Sequence, residues 1–135
     1  MWNSIVILTL LILLTTGCRQ ELPRPYHPLG LESSPTSSQK LCVDDGLLVS
    51  LYGVPRTILD LEREGSEFAA RNPATQQVPF ARANRTWESM KQTYRPGNTI
   101  RAATTPGIDG RVHTTGYALS RNGCVVALMV LSIVD

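Results

Sequence analysis

Near the C-terminus, Asn122-Gly123 separates two runs of strand-forming residues, GYALSR at 116–121 and CVVALMV at 124–130. Asparagine and glycine enter left-handed backbone conformations at little cost. The pair therefore fits a two-residue hairpin turn of the primed type, whose twist matches that of the flanking strands. With such a turn, Arg121 is expected opposite Cys124, Leu119 opposite Val126 and Tyr117 opposite Leu128 on one face. Ser120 with Val125, and Ala118 with Ala127, then fall on the other. The last run is apolar on both faces, which predicts a strand in the middle of the sheet with something packed over each side. TIRAAT at 99–104 is its expected neighbour in an antiparallel meander. The prediction is an α+β fold, a small antiparallel sheet packed against two helices.

The helices are read from apolar spacing. Pro55 suits a first helical turn, and Ile58, Leu61, Phe68 and Ala69 recur with helical period. Gly65 interrupts the pattern, and Asn72-Pro73 ends it. A second helix opens with Asn84 as its cap and carries Trp87, Met90 and Tyr94 on one face. Arg95-Pro96-Gly97-Asn98 is then a turn. Asn84-Arg85-Thr86 also has the form of a glycosylation acceptor. GLLVSLY at 46–52 is an apolar run that reads equally as a strand or as the start of a helix.

At the other end, residues 5–14 are Ile, Val, Leu and one Thr, and no charged side chain precedes Arg19. As a helix this run covers about half of a ~30 Å hydrocarbon layer, too little for an ordinary span and suited to the core of a signal peptide. Small residues follow, then a cysteine. Leu14-Thr15-Thr16-Gly17-Cys18 resembles the lipobox of bacterial lipoproteins. That resemblance implies a signal peptide at 1–17, cleavage before Cys18 and diacylation of its thiol. Because Arg19 and not Asp follows Cys18, it also implies a cell-envelope protein held at the outer membrane, facing the periplasm. An uncleaved anchor and a secretory signal cut nearby are the other readings of the apolar run.

Three cysteines are an odd number for an exported chain. With Cys18 acylated, Cys42 and Cys124 remain as a pair for a disulfide in an oxidising compartment. Two free buried thiols in a reducing compartment are the alternative. His27 and His113 make no ligand spacing with these cysteines, so neither a metal nor a cofactor is expected. Residues 18–40, rich in Pro and Ser, resemble the spacers of bacterial lipoproteins and read as a linker to a single domain at 41–135, although Tyr26-His27 within them is also readable as a docking segment. The formal net charge of +2, spread over scattered arginines, gives no phosphate track, so nucleic acid is not an expected partner.

Trp87, the turn at 94–98, Thr105-Pro106 and the hairpin at 116–123 together resemble an arrangement in small uncharacterised bacterial proteins, which implies a fold and no activity. Catalytic signals are sparse. Asp44-Asp45 is a carboxylate pair on a turn, Arg121 lies close to Cys124, and His113 shares the loop at 107–115 with Asp109 and Arg111 without an assigned nucleophile. Two functions follow. The first is a lipid-anchored binding module for an envelope protein or a cell-wall component, with Trp87, Tyr117 and Arg121 as its candidate surface. The second is a small hydrolase-like enzyme with its site at 107–115. A purely structural surface lipoprotein is a third.

Overall fold

The computed structural model of the protein describes residues 26–44, 46–106 and 112–134. The order is β1 (Ser37–Leu41), β2 (Leu48–Arg56), α1 (Ile58–Arg71), a 3-10 turn (Ala81–Ala83), α2 (Asn84–Thr93), β3 (Thr99–Pro106), β4 (Val112–Arg121) and β5 (Cys124–Ile133). Each strand pairs antiparallel with the next, and the sheet curls until β1 meets β5. Five strands that alternate in direction must close with a parallel pair, because the first and last run the same way. The seam is short, with Lys40 opposite Cys124 and Leu41 opposite Val125. Among the described helices, none is long and apolar enough to cross a membrane.

A disulfide joins Cys42 to Cys124 at this seam, with a Cα separation of 5.4 Å. The Cys42 N–H also donates to the Val125 carbonyl at 2.8 Å, so covalent and hydrogen bonds close the barrel at one point.

The sheet has two buried faces. Val49, Leu51, Ala103, Ala118 and Val125 form one apolar cluster. Ile100, Ala102, Tyr117, Leu119 and Met129 form another with Leu61, Phe80, Trp87 and Met90 from the helical layer. A five-stranded barrel has no room for helices inside, so the first cluster is its interior and the second its helix-covered outer face. Alanines at 103 and 118 leave space for the tight curl. At Gly116 the strands approach so closely that a Cβ would lie 1.8 Å from the Met129 carbonyl oxygen.

The hairpin turns at Asn122-Gly123, both at positive φ, with Arg121 opposite Cys124 and Ser120 opposite Val125 as expected. Beyond that, β5 carries a bulge. Leu119 pairs with Ala127, Ala118 with Leu128 and Tyr117 with Met129, one residue later than the regular register. A second shift lies between Thr115 and Gly116. Bulges strengthen twist, and both lie beyond the two β5 residues that pair with β1. Because β1 pairs with only its first two residues, β5 is not the central strand expected. It is apolar on both sides because one side faces the barrel interior and the other the helices.

Of GLLVSLY, residues 48–52 are strand and open β2. Pro55 stands near the end of β2, in the irregular stretch between Tyr52 and Arg56, and does not open the helix. Thr57 caps α1: its side chain accepts from the Asp60 N–H at 3.1 Å, and the Asp60 carboxylate accepts from Thr57. This reciprocal box holds the Asp60 carboxyl below its ordinary range, chiefly through the Thr57 hydroxyl. Its stabilising effect is therefore present above the ordinary range and is lost as pH falls through the lowered value. Thr57→Ala is expected to cost about 1 kcal/mol, read as a shift in the urea midpoint at neutral pH. The helix runs through Gly65 because Phe80 lies against it: a Cβ there would sit 2.9 Å from the Phe80 ring and backbone nitrogen. Asn84 is the first residue of α2 rather than its cap, and its amide donates to the Pro79 carbonyl at 3.0 Å.

The folded unit also begins earlier than a boundary at 41. β1 occupies part of the expected linker, Pro28 is buried, and Tyr26 packs edge-on against Phe68 with centroids 4.8 Å apart. The proline and serine content disfavours a central strand, but β1 is a seam strand whose exposed positions suit serine and lysine.

Candidate functional site

Helix α1 places one carboxylate in its buried stripe. Glu64 follows Leu61 by three residues, is 8% exposed and points at the outer face of the sheet. Its Oε1 accepts a hydrogen bond from Tyr117 Oη at 2.6 Å and another from Tyr26 Oη. Its Oε2 pairs with Arg56 Nη2 at 3.1 Å. Four distant stretches, the segment before β1, the end of β2, α1 and β4, thus converge on one buried acid.

Both phenols stay protonated far above their ordinary value. For Tyr26 burial is the largest cause, followed by the neighbouring Tyr117 and Glu64; for Tyr117 burial is followed by its hydrogen bond to Glu64. A buried carboxylate is costly unless paired, and this one has three donors, so the cluster acts first as a joint between helix and sheet. The folded phenols hold their protons more tightly than the unfolded ones, so unfolding releases protons and stability falls as pH rises past about 10, the ordinary tyrosine value. The urea midpoint is expected to be flat from about pH 7 to 9 and to drop above 10, with Tyr117→Phe reducing the drop. Native tyrosines that all ionise near the ordinary value would contradict the arrangement.

Beside the cluster lies a half-open cavity of about 350 Å³. Tyr26, Phe68 and Phe80 line it from one side, Val130 and Leu131 of β5 from another, and Arg82 and Thr86 are on its helical side. Tyr26 therefore serves both: its hydroxyl binds Glu64, and its ring is part of the cavity wall.

The residues expected to form a binding surface fall elsewhere. Trp87 and Tyr117 are both fully buried. Trp87 packs against Phe80 at 5.4 Å between centroids and Tyr117 against the same ring at 6.3 Å, so they are core and not contact anchors. They lie on the buried faces of α2 and β4, where apolar bulk is needed to join helix and sheet. Arg121 is half-buried, and its Nη2 donates to the Thr93 carbonyl at 3.0 Å and to Asn98 Oδ1 at 3.1 Å. It ties the hairpin to the C-terminal end of α2 and is not offered to a partner. Cys124 is spent in the disulfide, so Arg121 activates no thiol.

Asp44 is exposed, and its Oδ1 accepts from the Gly46 N–H at 2.9 Å, the bond of a local turn. Cys18, Asp45, residues 107–111 and the His113 side chain lie outside the described residues. Among the described residues, no three His, Cys, Asp or Glu side chains converge as a metal site. Glu64 and the cavity were missed in the sequence. The available signal was a charged residue inside the apolar stripe of α1, between Leu61 and Phe68. Comparison with known proteins finds no matching family model, no similar curated protein and no matching solved structure.

Proposed function

We propose that the protein is a lipid-anchored binding module of the cell envelope, held at the outer membrane and facing the periplasm, where it engages an envelope protein or a cell-wall component. The observation that carries this reading is the use of the cysteines. Cys42 and Cys124 pair at the barrel seam, and the third, Cys18, stands directly after the apolar run and small residues of a lipobox-like sequence. A structural disulfide suits an oxidising compartment, and it leaves Cys18 as the one cysteine to explain. The cavity supplies the module with a concave, mainly apolar site whose volume lies in the ~300–1,000 Å³ range of small-molecule sites.

Replacing Cys18 with serine tests the anchor. The wild-type chain is expected in the membrane fraction carrying labelled palmitate, and Cys18→Ser is expected without label. Equal labelling of the two would remove Cys18 as the lipid site.

A further inference from the structure

The Glu64 cluster fixes where the folded unit stands relative to any lipid on Cys18. Tyr26 is pinned by its hydroxyl to Glu64 and by its ring to Phe68. Cys18 precedes it by only eight residues. A fully extended chain covers at most about 3.6 Å per residue, so Tyr26 stays within roughly 29 Å of the anchored cysteine. Since Tyr26 is itself part of the cavity wall, the cavity is held near the bilayer surface. A 23-residue spacer would have allowed more than twice that distance.

The chemistry of the cavity narrows what it takes there. Phe68, Phe80, Val130 and Leu131 offer apolar walls, Thr75 and Thr86 add hydroxyls, and Arg82 makes no ion pair or side-chain hydrogen bond among the described residues. Arg82 is exposed, so its charge is available to a head group. A mainly apolar lining with one solvent-exposed cation complements an alkyl chain ending in an anion.

We infer that the cavity binds an acyl chain of an anionic phospholipid from the membrane in which the protein is anchored. This rests on the anchor proposed above and adds the class of ligand. Insertion of the chain against Phe68, Val130 and Leu131 removes apolar surface from water on both sides, and the exposed Arg82 holds the phosphate.

The test uses the full lipidated protein in vesicles of phosphatidylglycerol and phosphatidylcholine, one lipid at a time carrying a photoactivatable acyl chain. Crosslinks are mapped by mass spectrometry. Adducts are expected on the stretches holding Phe68, Phe80, Val130 and Leu131, at least several-fold more from phosphatidylglycerol. Arg82→Glu is expected to abolish that preference. Thr86→Trp, an exposed position on the cavity's helical side, is expected to cut the adducts about tenfold, and Val130→Glu provides a second block from the strand side. Adducts spread over the surface, or unchanged in both blocking variants, would overturn the inference. So would binding of an envelope peptide in the cavity at the expense of the lipid. Lipid found on Cys18 without cavity adducts would overturn this inference alone, whereas an unlipidated Cys18 would remove the anchor itself.

Discussion

Glu64→Leu is expected to destabilise the protein by about 3–5 kcal/mol, the cost of removing one partner from a buried ionic network. The substitution keeps side-chain bulk and takes away the acceptor of three donors at once. Arg56, whose side chain is 18% exposed, would lose its carboxylate, and the Tyr26 and Tyr117 hydroxyls would be left in apolar surroundings. Adding Tyr117→Phe to Glu64→Leu is expected to recover part of the loss, because one stranded hydroxyl goes with it. Chemical denaturation of the four combinations measures this coupling. A loss below about 1 kcal/mol for Glu64→Leu would contradict the network, and strict additivity in the cycle would mean that Glu64 and Tyr117 are not coupled.

Replacing Cys42 and Cys124 together with serine is expected to cost about 2–5 kcal/mol. Part of the effect lies in the unfolded chain, since the bridge spans a sequence separation of 82. The rest is local, because the parallel seam has two residue pairs and the disulfide stands at its end. Amide exchange separates the two. The Cys42 N–H, which donates to Val125, is expected to lose protection first, while the β3–β4 ladder keeps its protection until global unfolding. Uniform loss over the whole sheet would place the effect in the unfolded state alone. For a small domain, whose whole margin is about 5–15 kcal/mol, either substitution removes a large share.

The parts of this fold that were legible in the sequence are those decided locally. Asn122-Gly123 set the turn, and the first two cross-strand pairs followed from it. Residues 58, 61, 68 and 69 marked the buried stripe of α1, and Asn72-Pro73 its end. The bulge at Val126 was not legible, because nothing in a run of apolar strand residues marks which one is left out of the ladder. β1 was hidden for a related reason. Its Ser-Ser-Gln-Lys stretch resembles a linker, and it becomes a strand only where β2 and the seam supply hydrogen bonds. Pro55 was misplaced because proline also tolerates irregular strand positions. Trp87 and Tyr117 illustrate the ambiguity of aromatic residues, which serve core and interface equally well until burial is known.

The candidate site was less visible than the fold. Glu64 is brought to Tyr26, Arg56 and Tyr117 by four separate stretches, and no local spacing records such a meeting. The cavity depends in the same way on Tyr26, which lies in a proline-rich stretch that composition assigns to a tether. Placing Tyr26 in the folded unit bears on the proposed function, since under the proposed anchor on Cys18 the chain between lipid and cavity is short.

The proposed anchor and the closed seam both depend on the three cysteines, and one mass measurement reads all of them. The protein is extracted from membranes and its intact mass is taken before and after reduction. The expected mass is that of residues 18–135 plus acyl chains, rising by two hydrogens on reduction of the Cys42–Cys124 bridge. A mass that begins at Met1 and does not change on reduction would contradict both the anchor and the closed seam.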